Sequence, residues 1–62
     1  MNLTTEDMIR NKLLDVQENV RDFQEYSKKI DNKEINEKFK QFAKESAAEA
    51  RELEKLLNKY GK

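Results

Sequence analysis

Residues 34–60 read EINEKFKQFAKESAAEARELEKLLNKY, and the reading of this stretch decides the fold. Its apolar residues Ile35, Phe39, Phe42, Ala43, Ala50, Leu53, Leu57 and Tyr60 recur at three- and four-residue steps, which stack side chains on one face of a helix. The stretch contains neither Pro nor Gly, so nothing in it breaks a helix. A helix with one apolar face needs something to cover that face, and the preceding half of the chain supplies one matching helix.

In that half, Ile9, Leu13, Val16, Val20, Phe23, Ser27 and Ile30 alternate four- and three-residue steps without a break, the spacing of a heptad seam. Met8, Leu14 and Tyr26 widen the seam into a stripe, which suits a bundle helix with neighbours on more than one side. Thr4 and Thr5 are favourable N-cap residues, and Glu6 and Asp7 after them place negative charge on the first turn, where the helix dipole favours it. Lys28 and Lys29 fall where the last turn of this helix should expose its carbonyls. Asp31 can cap the next helix, with Glu34 three residues on to complete a capping box. At the far end, Lys55 and Lys59 precede Tyr60, and Gly61 is available for the left-handed position after the helix.

These signals predict one all-α domain over residues 1–62: helix one over about 5–30, a turn at about 31–32, and helix two over about 33–60. So short a link forces the helices antiparallel, as an αα-hairpin, the alternative being one continuous helix through Asn32. Folding the hairpin should bring Phe23 near Phe39, Val20 near Ala43, and Leu13 near Ala50. Exposed i,i+4 pairs, Glu34 with Lys38 and Glu25 with Lys29, should add a few tenths of a kcal/mol each, while Arg51 with Lys55 is a like-charge pair.

Two helices alone cannot enclose both stripes. A chain of this length buries only roughly 60% of the surface its unfolded form exposes, and it has no Cys with which to staple the fold. Small domains without staples often oligomerise. The expectation is a homodimer, two hairpins pairing into a four-helix bundle, with Ile9, Leu13, Val16, Val20, Phe23, Ile35, Phe39, Phe42, Ala43, Ala50, Leu53 and Leu57 forming the core and the dimer interface. A hetero-partner is the other way to cover the same faces.

Composition narrows the function classes. Thirteen basic residues balance thirteen acidic ones, so no overall positive field draws nucleic acid or anionic lipid. Lys38, Lys40, Lys44, Arg51 and Lys55 lie near Phe39 and Phe42, but Glu37, Glu45, Glu52 and Glu54 neutralise that strip. No apolar run reaches signal-peptide or membrane-spanning length, which with the absence of Cys gives a cytoplasmic expectation. The chain contains no His and no Cys, and hence none of the usual bases and nucleophiles of neutral pH, and no Gly-rich phosphate loop. Neither an enzyme nor a cofactor is expected.

One irregularity remains in helix two. A strict four-three seam from Ile35 runs through Phe39, Phe42, Ser46, Glu49, Leu53, Leu56 and Tyr60, putting Ser46 and Glu49 where apolar residues belong. Alternatively the stripe shifts to Ala43, Ala47, Ala50, Leu53 and Leu57, leaving the Glu49 carboxylate in water. With Phe39, Phe42, the run Lys44 to Ala50 and the tail Ala50, Arg51, Glu52, Leu53, and with Tyr26 on the first helix, the chain resembles the rubrerythrin-like branch of the ferritin-like superfamily. The resemblance implies half of a ferritin-like bundle completed by dimerisation. The family's Glu-x-x-His positions fall on Ser46 and Glu49 and its helix-one Glu on Asn19, so the di-iron ligands are missing. The alternative function is therefore a metal-binding ferritin-like protein whose site is made only of carboxylates, Glu18, Glu45 and Glu49, at the dimer interface.

Overall fold

In the computed structural model, which describes residues 3–60, the chain begins its first helix on a complete capping box. Thr4 is extended, its hydroxyl accepts from the Asp7 backbone N–H at 3.0 Å, and the Asp7 carboxylate accepts from the Thr4 N–H at 3.1 Å. Two amides that no helical carbonyl could reach are thereby satisfied. The Thr4 backbone N–H on that carboxylate foremost, then the Thr4 side chain, with help from Arg10, hold the Asp7 carboxyl below its ordinary value. Helix α1 then runs from Thr5 to Ser27.

It stops three residues short of Ile30. The Ser27 hydroxyl donates to the Gln24 carbonyl at 2.8 Å, and the chain turns through a Lys29 N–H to Tyr26 carbonyl bond of 2.9 Å. Lys28 and Lys29 thus lie beyond the last turn of α1, and Lys28 leans back toward Glu25 at 3.6 Å. The link is residues 28–32 rather than a two-residue turn. Helix α2 spans Lys33 to Tyr60. Its cap is Asn32, not Asp31: the Asn32 side-chain oxygen accepts from the Ile35 N–H at 3.0 Å. Because Ile35 has no side-chain acceptor to return the bond, the expected Asp31–Glu34 box is replaced by a one-sided cap. The expected role of Gly61 lies outside the described residues.

The two helices pack antiparallel along one seam. In α1 the least exposed row is Ile9, Leu13, Val16, Val20, Phe23 and Ser27, with Ile30 continuing it into the link. In α2 the matching row is Asn36, Phe39, Ala43, Ser46, Ala50, Leu53 and Leu57, an unbroken three-four pattern that neither sequence reading of this helix contained in full. Asn36 ties that register to the end of α1. Its side-chain amide donates to the carbonyls of Ser27 and, at 3.2 Å, Ile30, satisfying acceptors left over at the end of α1. With Asn36 turned inward, Ile35 and Phe42, both in the set expected for the core and the dimer interface, lie on the flank of the seam, 46% and 37% exposed in the single chain. Glu49 and Leu56 rotate with them and are exposed too.

The Phe23 and Phe39 rings meet edge-to-face at 5.3 Å, as expected from the hairpin. The Phe23 ring also lies 5.5 Å from Phe42, and Val16 lines one groove with Glu49 and Leu53, which sets Phe23 within about a turn of Ala43 and Val16 within about a turn of Ala50. Large side chains of α1 face small ones of α2 through the middle, which allows the backbones to approach closely. Val16, Ala43 and Ala50 are the buried apolar residues, and Ser27 and Ser46 are buried beside them.

Exposed ion pairs decorate this frame: Glu6–Arg10 at 2.7 Å, and three i,i+3 pairs, Lys12–Asp15, Glu25–Lys28 and Glu52–Lys55. Lys55 pairs with Glu52 at 3.0 Å. At a few tenths of a kcal/mol each they do not choose the fold. The chain measures 44 × 23 × 12 Å, two helices wide and one helix thick. Its radius of gyration is 14.3 Å, against about 10.6 Å for a compact domain of this length. The result is a plate with two broad faces.

Candidate functional site

The rotation of α2 gives the two faces different characters. Flanking the seam on one side are Lys12, Asn19 and Tyr26 of α1 and Ile35, Phe42, Glu49 and Leu56 of α2, each set repeating every seven residues and so aligned along its helix. That these rows share one broad face is visible in two places. Lys12 and Val16 line a shallow groove of about 480 Å³ together with Glu49 and Leu53, and the Phe42 ring lies 5.5 Å from Phe23. Met8 stands one turn before Lys12 on the same side, and Tyr60 closes the row beyond Leu56.

Six exposed large apolar side chains, Met8, Tyr26, Ile35, Phe42, Leu56 and Tyr60, thus gather on one face. The opposite face carries Arg10, Gln17 and Gln24 from α1 and Lys33, Lys40, Ala47 and Glu54 from α2. Its groove is lined by Gln24, Lys40, Ala43, Lys44 and Ala47. Leu14 is exposed on the outer edge of α1, away from the apolar face. A two-helix plate with one apolar and one polar face resembles half of a core.

The area agrees. The chain exposes 5265 Å², where a compact monomer of its mass would expose about 4,200 Å². The excess, about 1,000 Å², compares with the roughly 800 Å² that each partner buries in a standard protein–protein interface. Large apolar side chains gathered on one exposed face are the feature that commonly accompanies an interaction surface.

Carboxylates and other chemistry-bearing groups do not converge in the same way. Glu18 lies on the outer side of α1, Glu45 on the outer side of α2, where it accepts from the Gln41 amide at 3.0 Å, and Glu49 on the apolar face. Among the described residues no group of three or more His, Cys, Asp or Glu is placed to hold a metal ion within one chain. Of the positions carrying the ferritin-like resemblance, Ser46 is buried in the seam and Asn19 and Glu49 are exposed on the apolar face. Lys38, Lys40, Lys44, Arg51 and Lys55 are all exposed, and Lys55 is engaged by Glu52. No helix among the described residues is long and apolar enough to cross a membrane.

The hydrophobic pattern gives no sign of the places taken by Asn36 in the seam and by Lys12 in the groove, whereas Leu56 belongs to the strict four-three seam. The available signal was the unbroken three-four spacing from Asn36 to Leu57, which emerges only when polar Asn36 and Ser46 are admitted to the seam. No protein-family model matches the chain, and neither does any curated protein or solved structure.

Proposed function

We propose that this chain is a small self-associating helical hairpin, a structural or interaction module that works through protein–protein contact and has no catalysis of its own. Two copies pair into a four-helix bundle. The observation that carries this reading is the gathering of Met8, Tyr26, Ile35, Phe42, Leu56 and Tyr60 on one face of a plate whose excess surface is of interface size. A face of this kind is costly to leave in water and its burial is the dominant favourable term in association. The ferritin-like resemblance fits as a bundle completed by pairing, with Ser46, Glu49 and Asn19 in place of the di-iron ligands. A cytoplasmic setting fits a chain without Cys.

Native mass spectrometry together with sedimentation velocity tests the proposal. The expected result is a metal-free dimer at micromolar concentration that dissociates on dilution. A chain that stays monomeric into the high micromolar range, with full helical circular dichroism, would overturn it.

A further inference from the structure

The apolar face is not uniform along its length, and the order of its residues distinguishes the ways two copies can meet. Near the link stand Phe42 and Tyr26, near the free ends of the helices stand Met8 and Leu56, and between them lie Lys12, Asn19 and Glu49. Phe42 reaches Phe23, one turn from Tyr26; Lys12 lines one groove with Leu53, so that about a turn farther Met8 comes level with Leu56; and Glu49 lines that groove with Val16, between Lys12 and Asn19. Lys12 and Glu49 flank the same groove.

From this we infer that two copies pack apolar face to apolar face with their 28–32 links at the same end, α1 of each lying over α2 of the other. The inference rests on the self-association proposed above and adds its geometry. A two-fold axis parallel to the helices sets Phe42 on the partner's Tyr26 and Leu56 on the partner's Met8. It also sets Glu49 over the partner's α1 between Lys12, a cation, and Asn19, an amide donor. Each pairing occurs twice, as an isologous interface requires. The opposed arrangement, with links at opposite ends, brings α2 over α2 and places Glu49 against its own copy near the axis. Two like carboxylates there repel, and the repulsion grows as the interface excludes water. The apolar pairings are available in either arrangement, so the middle of the face decides between them.

A single spin label per chain measures the geometry directly. The chain has no Cys, so Asp31→Cys supplies one unique attachment point in the exposed link. With links at the same end, the two labels of a dimer lie no farther apart than the 23 Å width of the plate; with links opposed, they approach its 44 Å length. Electron–electron dipolar spectroscopy resolves these. A short distance supports the inference. A distance near the full length overturns it and leaves self-association standing, whereas a monomer by mass spectrometry with no dipolar signal overturns both. As a second readout, Glu49→Gln alters an exposed side chain and leaves the seam intact. It should raise the dimer dissociation constant by roughly threefold to tenfold through the lost interaction with Lys12. Tighter association of that variant would point to the carboxylate pair of the opposed arrangement and overturn the inference.

Discussion

The side-chain amide of Asn36, in the first turn of α2, donates to the backbone carbonyl of Ile30 at 3.2 Å, beyond the end of α1. Its second bond, to the Ser27 carbonyl, ties the end of α1 to the same side chain. This one residue thereby ties the end of α1 and the link to the first turn of α2. Asn36→Ala leaves both carbonyls without this donor in a partly buried place and should lower stability by about 1–2 kcal/mol. Urea unfolding followed by circular dichroism reads the change. An unchanged midpoint would show that the link holds the register without Asn36.

The seam register makes a prediction about size. Ala50 is buried in the seam, whereas Ala48 is exposed. Ala50→Leu should overpack the seam and cost about 1–3 kcal/mol, while Ala48→Leu should change stability by less than about 0.5 kcal/mol. Equal effects of the two substitutions would contradict the rotation of α2.

Phe39 and Leu56 separate the fold from its association. Phe39 packs on Phe23 inside the seam, so Phe39→Asp buries a carboxylate with no partner and should abolish folding and pairing together. Leu56 is exposed on the apolar face, so Leu56→Glu should weaken pairing at least tenfold while the variant keeps its helical spectrum at high concentration. Undiminished pairing of Leu56→Glu, measured by sedimentation, would remove the face from the interface.

The capping box gives α1 a dependence on acid. Asp7 is held below its ordinary value, so its contribution is fully present above the unfolded carboxylate value of about 3.9 and is lost as the pH falls through the lower folded value. The expected outcome is a decline in thermal stability below about pH 4 that is shallower in Asp7→Asn. Identical acid limbs for the two proteins would show that other carboxylates carry the effect.

Metal addition tests the carboxylate alternative. Iron(II), manganese(II) or zinc(II) at tenfold excess should leave the melting temperature where it was, because Glu18, Glu45 and Glu49 point in different directions within the chain. A rise that disappears in Glu49→Gln would establish a site shared between two copies.

The sequence by itself determined two helices, the Thr4 start of α1 and its seam from Ile9 to Ser27. There the large residues Ile9, Leu13, Val16, Val20 and Phe23 admit a single three-four spacing, and the Thr4 cap is local chemistry within a few residues. It also determined the hairpin, since so short a link leaves antiparallel packing as the way to bring Phe23 to Phe39. Only the tertiary structure decided the rotation of α2. In that helix several stripes are equally periodic, and ranking them by hydrophobicity favours Ile35 and Phe42. The helices instead approach over Ala43, Ser46 and Ala50, because small residues let large ones interdigitate, and the Asn36 amide is drawn inward by carbonyls of another element. Both causes act through space between residues distant in the chain. The apolar face left by that rotation is accordingly a product of the packing.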